Sequence, residues 1–183
     1  MNPIHQLMDD HELILQVLDK MEKSVQQVHT QEKLEREHWE YFIRFFRDFT
    51  DGIHHKKEEE LLFPVLVKAG IPVEHGPIGC MLSEHDLGRS CIKQIENSLN
   101  RYQEGENTAL KDLVEAAEEY LQLLRQHIMK ENQVLFMMAE RLLSISEKNR
   151  LGLQFQNLLS EEENQQITKR MQQGFASLAA SYN

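Results

Sequence analysis

The chain has 183 residues, 40% of them apolar and 27% charged, and a formal net charge of −10. That length supports one domain with a sizeable core and a short appendage. With an acidic balance and no dense block of Lys or Arg, nucleic acid and anionic membranes are not expected partners.

Only 8 Gly and 4 Pro punctuate the chain, which favours a few long helices over many short strands and predicts an all-α fold. The runs Glu58-Glu59-Glu60 and Glu161-Glu162-Glu163 are too short to be acidic tails. Cys80 and Cys91, eleven residues apart in one predicted helix, would lie about 16 Å from each other, beyond disulfide reach. The start, Met-Asn-Pro-Ile-His, has neither the basic region nor the apolar stretch of a secretory signal. No apolar run reaches the ~20 residues that span a bilayer. The expected home is the reducing cytoplasm.

In chain order, a first helix is predicted from Ile4 to about Val28, with Ile4, Leu7, Met8, His11, Leu15 and Leu18 on one stripe. Thr30 is read as the N-cap of a second helix, from about Gln31 to Lys68. Its stripe carries Phe42, Phe45, Phe46, Phe49 and Ile53, then Leu61, Leu62 and Val65, and Pro64 should kink or shorten it. After the stop at Ala69 to Pro72, a third helix spans about Ile78 to Tyr102, with His85 on its stripe. A polar loop around Gly105 leads, through Thr108 as a cap, to a fourth helix ending near Leu143 and carrying Tyr120, His127 and Glu131. Residues 1–145 are thus expected to form an up-down-up-down four-helix bundle. Residues 146–183 would form a C-terminal helical extension, with Ser160 near a helix start; it would pack across the bundle or pair with another copy.

The placement of the nine histidines carries more information than their number. Each main helix has one on its apolar stripe: His11, His54, His85 and His127. Two are followed one turn later by a carboxylate, Glu58 and Glu131. The i, i+4 spacing puts both side chains on one helix face, as a metal-ligand pair requires. Two buried carboxylates and four imidazoles in one core are hard to satisfy without cations, and two metal ions sharing the carboxylates resolve the problem. Nitrogen and oxygen donors without thiolate suit iron, manganese or zinc. A ferritin-like centre would need two Glu-x-x-His motifs, and only Glu35 to His38 fits. Depth is matched across the second hairpin, since His85 lies 20 residues before Gly105 and His127 22 after it. Across the first it is poorer, at 19 and 24 residues from Thr30 for His11 and His54. Periodicity alone does not separate the pair His54 and Glu58 from His55 and Glu59.

The segments from Phe49 to Pro64 (FTDGIHHKKEEELLFP), Gly76 to Arg89 (GPIGCMLSEHDLGR) and His127 to Phe136 (HIMKENQVLF) resemble the hemerythrin-like, HHE cation-binding domain. With His11, the resemblance covers roughly residues 4–145. It implies two non-haem iron ions, oxo- or hydroxo-bridged, held by His11, His54, Glu58, His85, His127 and Glu131, with Glu58 and Glu131 as the bridges. It favours the His54 register and leaves His55 and Glu59 as supporting groups. Oxygen-carrying hemerythrins have a second histidine four residues after the third-helix histidine, where this chain has Arg89. They also end in His and Asp five residues apart, where His127 and Glu131 are four apart. The pattern is closer to the four-histidine, two-carboxylate version of iron-sensing and nitrosative-stress relatives.

Two function classes follow. In the first, a binding module takes up or senses oxygen, nitric oxide or iron, with any signal passing to a protein partner or a second copy through the C-terminal helices. In the second, a di-iron enzyme acts on peroxide or nitric oxide or repairs iron–sulfur clusters, with Tyr120, Glu84 and His55 as candidate tuning groups. A helical interaction protein without metal would leave the six matched groups unexplained. His5, His29, His38 and His75 have no matched carboxylate on a shared apolar stripe.

Overall fold

The computed structural model describes residues 2–32 and 34–181, which form six helices and no strand. Helix α1, Pro3–Gln31, starts where the Asn2 side chain accepts from the Ile4 N–H and Pro3 presets the first turn. Its buried stripe of Ile4, Leu7, His11, Ile14, Leu18, Met21, Val25 and Val28 keeps three- and four-residue steps throughout. The helix ends at Glu32, which takes a left-handed φ of 51°. Thr30 therefore lies inside α1, its hydroxyl donating to the Gln26 carbonyl, and does not cap the next helix as expected. The displaced turn also removes the depth mismatch. His11 is 20 residues before the end of α1 at Gln31, and His54 is 18 residues after the start of α2 at Arg36 (31 − 11 and 54 − 36).

Helix α2 covers residues 36–68 without interruption. It is α-helical over Arg36–Arg44 and Phe63–Lys68, with π turns over Phe45–His55 and Lys57–Leu62 between them. Pro64 sits just after these wide turns, and the helix runs on to Lys68 rather than stopping short. Helix α3, Pro77–Gln103, begins after a turn at Gly76, where an added Cβ would stand 2.2 Å from the Pro72 carbonyl oxygen. Helix α4 covers residues 109–142, with one π segment at Glu131–Leu135. Thr108 stands at its N-cap position, but its hydroxyl donates to Glu106 instead of capping.

Ser144 and Glu147 form a reciprocal capping box at the start of helix α5, Ile145–Ser160. Helix α6, Glu162–Ser181, follows after a one-residue break; Ser160 ends α5, with its hydroxyl on the Asn157 carbonyl. The extension packs across the bundle. Leu151 and Phe155 join the core cluster of Ile4, Leu7, Leu62 and Phe136. Ile167, Met171 and Leu178 join the larger cluster built on Trp39, Phe42, Phe45 and Phe46. The Tyr41 hydroxyl donates to the Met171 carbonyl at 2.9 Å, and Gly174 leaves room for the Tyr41 ring. Among the described residues no helix is long and apolar enough to cross a membrane. The two apolar clusters leave a polar layer between them, and the site lies there.

Candidate metal centre

His11 from α1, His54 and Glu58 from α2, His85 from α3, and His127 and Glu131 from α4 all converge on that layer and are buried, both glutamates with 0% exposure. The imidazoles meet in two pairs through Nε2: His11 with His54 at 3.0 Å, and His85 with His127 at 3.1 Å. Glu58 straddles them, with Oε1 3.6 Å from His54 Nε2 and Oε2 3.6 Å from His85 Nε2. Glu131 Oε2 stands 3.2 Å from both His11 Nε2 and His127 Nε2. Two sets of donor residues, all of them buried, therefore lie close enough to hold an ion each: His11, His54, Glu58 and Glu131 in one, and His55, Glu58, His85 and His127 in the other. Glu58 belongs to both.

His55 is the addition to the sequence reading. An α-helix rotates successive residues so far apart that His54 and His55 cannot both face one point. The wider π turn rotates each residue less, and here both neighbours are buried in the layer. Helical periodicity of the ordinary kind could not have signalled this.

Each of the five imidazoles is held from behind through Nδ1. His11 Nδ1 lies 2.8 Å from Asn132 Oδ1, and His54 Nδ1 lies 3.2 Å from Asp10 Oδ2. His55 Nδ1 is 3.2 Å from Asp51 Oδ1, His85 Nδ1 is 2.7 Å from Glu59 Oε1, and His127 Nδ1 is 3.0 Å from Glu84 Oε2. Four of these partners are carboxylates, which can only accept, so they hold a proton on Nδ1 and turn Nε2 toward the centre, the nitrogen a metal would take. The four carboxylates are themselves backed by cations. Lys57, almost fully buried, donates to Asp10 at 2.7 Å; Lys130 bonds Glu84; Arg89 donates to both Asp51 and Glu59. Of these supporting groups the sequence pointed only to Glu84 and Glu59; Arg89 stood out there only as the residue in place of a second third-helix histidine. Asp10 and Asn132 are chain neighbours of expected ligands, and Asp51 precedes His55 by one turn; those positions were the available signal.

The electrostatics ask for more positive charge. All four oxygens of Glu58 and Glu131 are buried without a well-aligned hydrogen bond among the described residues, an arrangement that costs about 1–3 kcal/mol for each unsatisfied group. Burial and the neighbouring Glu131 push the Glu58 carboxyl well above its ordinary value. Burial alone would lower His127, but the Glu131 and Glu84 carboxylates carry it up to about 9. Both shifts record two carboxylates competing for positive charge in one cage, which bound cations would supply. The donor set therefore fits metal ions.

A cavity of about 410 Å³ opens beside the centre, bounded by Phe46, Tyr120 and Leu124 and reaching His55, His85 and His127. The other set, around His11 and His54, has no part in its lining. Tyr120 packs edge-on against Phe46, and burial pushes its phenol well above its ordinary value, so it stays protonated.

Iron-sulfur cluster repair proteins named YtfE from Escherichia coli O1:K1 and Escherichia fergusonii are 33% identical to the chain over 85 residues, 45% of this chain and 39% of theirs. The chain thus spans about two-fifths of the length of the curated relatives it matches. No solved structure matches it. The family model described as the hemerythrin HHE cation binding domain matches residues 2–139, a span that holds every converging side chain. The chain belongs to the hemerythrin HHE cation-binding family.

Proposed function

We propose that the chain holds two iron ions, one at His11 and His54 and the other at His85 and His127, with Glu58 and Glu131 bridging them, and that it binds or senses oxygen, nitric oxide or iron. The observation that carries this reading is Glu58, whose two oxygens face imidazoles of opposite pairs and which is common to both donor sets. A carboxylate so placed serves a pair of ions better than a single one. The donors are imidazole and carboxylate with no thiolate, which suits iron.

When bound, an iron pair supplies redox chemistry toward a small diatomic molecule or peroxide. The protein's own residues supply the rest. The Nδ1 partners fix the imidazoles, and the cavity beside Phe46 and Tyr120 gives a ligand a way to the His85 and His127 side. Residues 1–145 are read as the metal-binding unit, and residues 146–183 as an extension whose exposed Leu153 would meet a protein partner.

A second reading, repair of iron–sulfur clusters, is favoured by the names of the relatives. One experiment separates the two. The protein is reconstituted anaerobically with ferrous iron and exposed in turn to oxygen, nitric oxide and peroxide, then incubated with an iron–sulfur protein that has lost its cluster. Stoichiometric, reversible spectral change with iron retained supports binding or sensing. Catalytic consumption of peroxide or nitric oxide, or transfer of iron into the damaged protein, supports the enzyme reading.

A further inference from the structure

The geometry points to His55 as a direct metal ligand, a third imidazole on the His85 and His127 side, which makes the two ion positions chemically unequal. This inference rests on the metal centre proposed above.

His55 has the same equipment as the four histidines expected from the sequence. It is 5% exposed, and its Nδ1 is held by Asp51, whose carboxylate is fixed in turn by Arg89. Its Nε2 is buried and has no hydrogen-bond partner among the described residues. A buried imidazole nitrogen left bare costs free energy that a structural histidine would be expected to avoid. His55 also contributes to a set of donor atoms, with Glu58, His85 and His127, that all lie within 4.8 Å of one another. Its ring stacks on His85, with centroids 3.7 Å apart, so it stands on the same side of the centre.

One ion position would then have His11 and His54, and the other His55, His85 and His127. The cavity reaches only the second group. His55 would therefore hold the ion on the side that the cavity reaches.

A packing role and a ligand role make different predictions for the His55 nitrogen itself. The full chain, labelled with ¹⁵N at histidine, would be titrated with Zn(II), a diamagnetic ion suited to these donors, while the imidazole nitrogens are followed by NMR. His55→Phe keeps an aromatic ring against His85 and identifies the His55 signals by their loss. The expected result is that Nε2 of His55 moves on zinc addition together with Nε2 of His85 and His127. In His55→Phe, one of two zinc affinities should fall by more than the about 10- to 100-fold that loss of an outer partner costs. If the four other imidazoles move and His55 does not, the inference is overturned while the metal centre stands. If no imidazole moves, the metal centre itself is wrong. The wild-type titration decides the matter even if the variant fails to fold.

Discussion

Substituting Glu84 should weaken one metal position and spare the other. Glu84 Oε2 accepts from His127 Nδ1 at 3.0 Å, and its second oxygen meets Lys130. The hydrogen bond with His127 and the Lys130 ammonium hold this carboxyl down at about 2, so it is ionised at any ordinary assay pH. Glu84→Gln keeps an oxygen in place but exchanges a charge-assisted hydrogen bond of about 1.5–3 kcal/mol for a neutral one of about 0.5–1.5 kcal/mol. The loss of about 1–1.5 kcal/mol corresponds to about a five- to twelvefold weaker affinity. Glu84→Ala removes the acceptor altogether, and about 10- to 100-fold is expected. Calorimetric titration of the metal-free protein with Zn(II) would read this as two separating phases, the weaker one moving progressively from wild type through Gln to Ala. Equal weakening of both phases, or no change in the Ala variant, would refute the idea that Glu84 acts by orienting His127.

Three further outcomes are expected. Arg89→Gln frees Asp51 and Glu59, which hold His55 and His85, so metal affinity on that side should fall. The metal-free melting temperature should shift by no more than about 2–4 °C, because Arg89 is partly exposed and such ion pairs contribute about 0–1 kcal/mol. Removing the metal should lower the melting temperature of the wild type by about 8–16 °C, from about 4 kcal/mol of linkage at free metal 1,000-fold above Kd; scanning calorimetry with and without chelator checks this. Gly174→Ala would put a Cβ 2.3 Å from the Tyr41 ring, and overpacking of about 1–3 kcal/mol should loosen Glu162–Ser181, visible as faster amide exchange there.

The part of the site that could be read in the sequence is the part written in ordinary helical periodicity. His11, His54, His85 and His127 fall on apolar stripes, and the one-turn spacing of Glu58 and Glu131 needs no tertiary information. The all-α class followed from the sparse Gly and Pro, with helix ends misplaced by at most five residues. Thr30 misled because a hydroxyl that bonds the carbonyl four residues back looks in sequence like a cap. That error produced the apparent depth mismatch of the first hairpin. The π turns were not legible, and with them the shared inward aim of His54 and His55. Nor could the sequence show that Asp10 supports a histidine of another helix, or that Lys57 lies buried beside it within an acidic-looking run. Such partners are fixed by how helices pack, while periodicity describes one helix at a time.

We propose above all a pair of irons held in one cage. Its most direct test is the metal content of protein purified without a metal-affinity tag and reconstituted anaerobically with ferrous iron, measured alongside the visible spectrum before and after dithionite. Two irons per chain, with visible absorption that bleaches on reduction and is lost in Glu58→Ala, is the predicted result. One ion or none per chain after reconstitution, with Glu58→Ala indistinguishable from wild type, would contradict it.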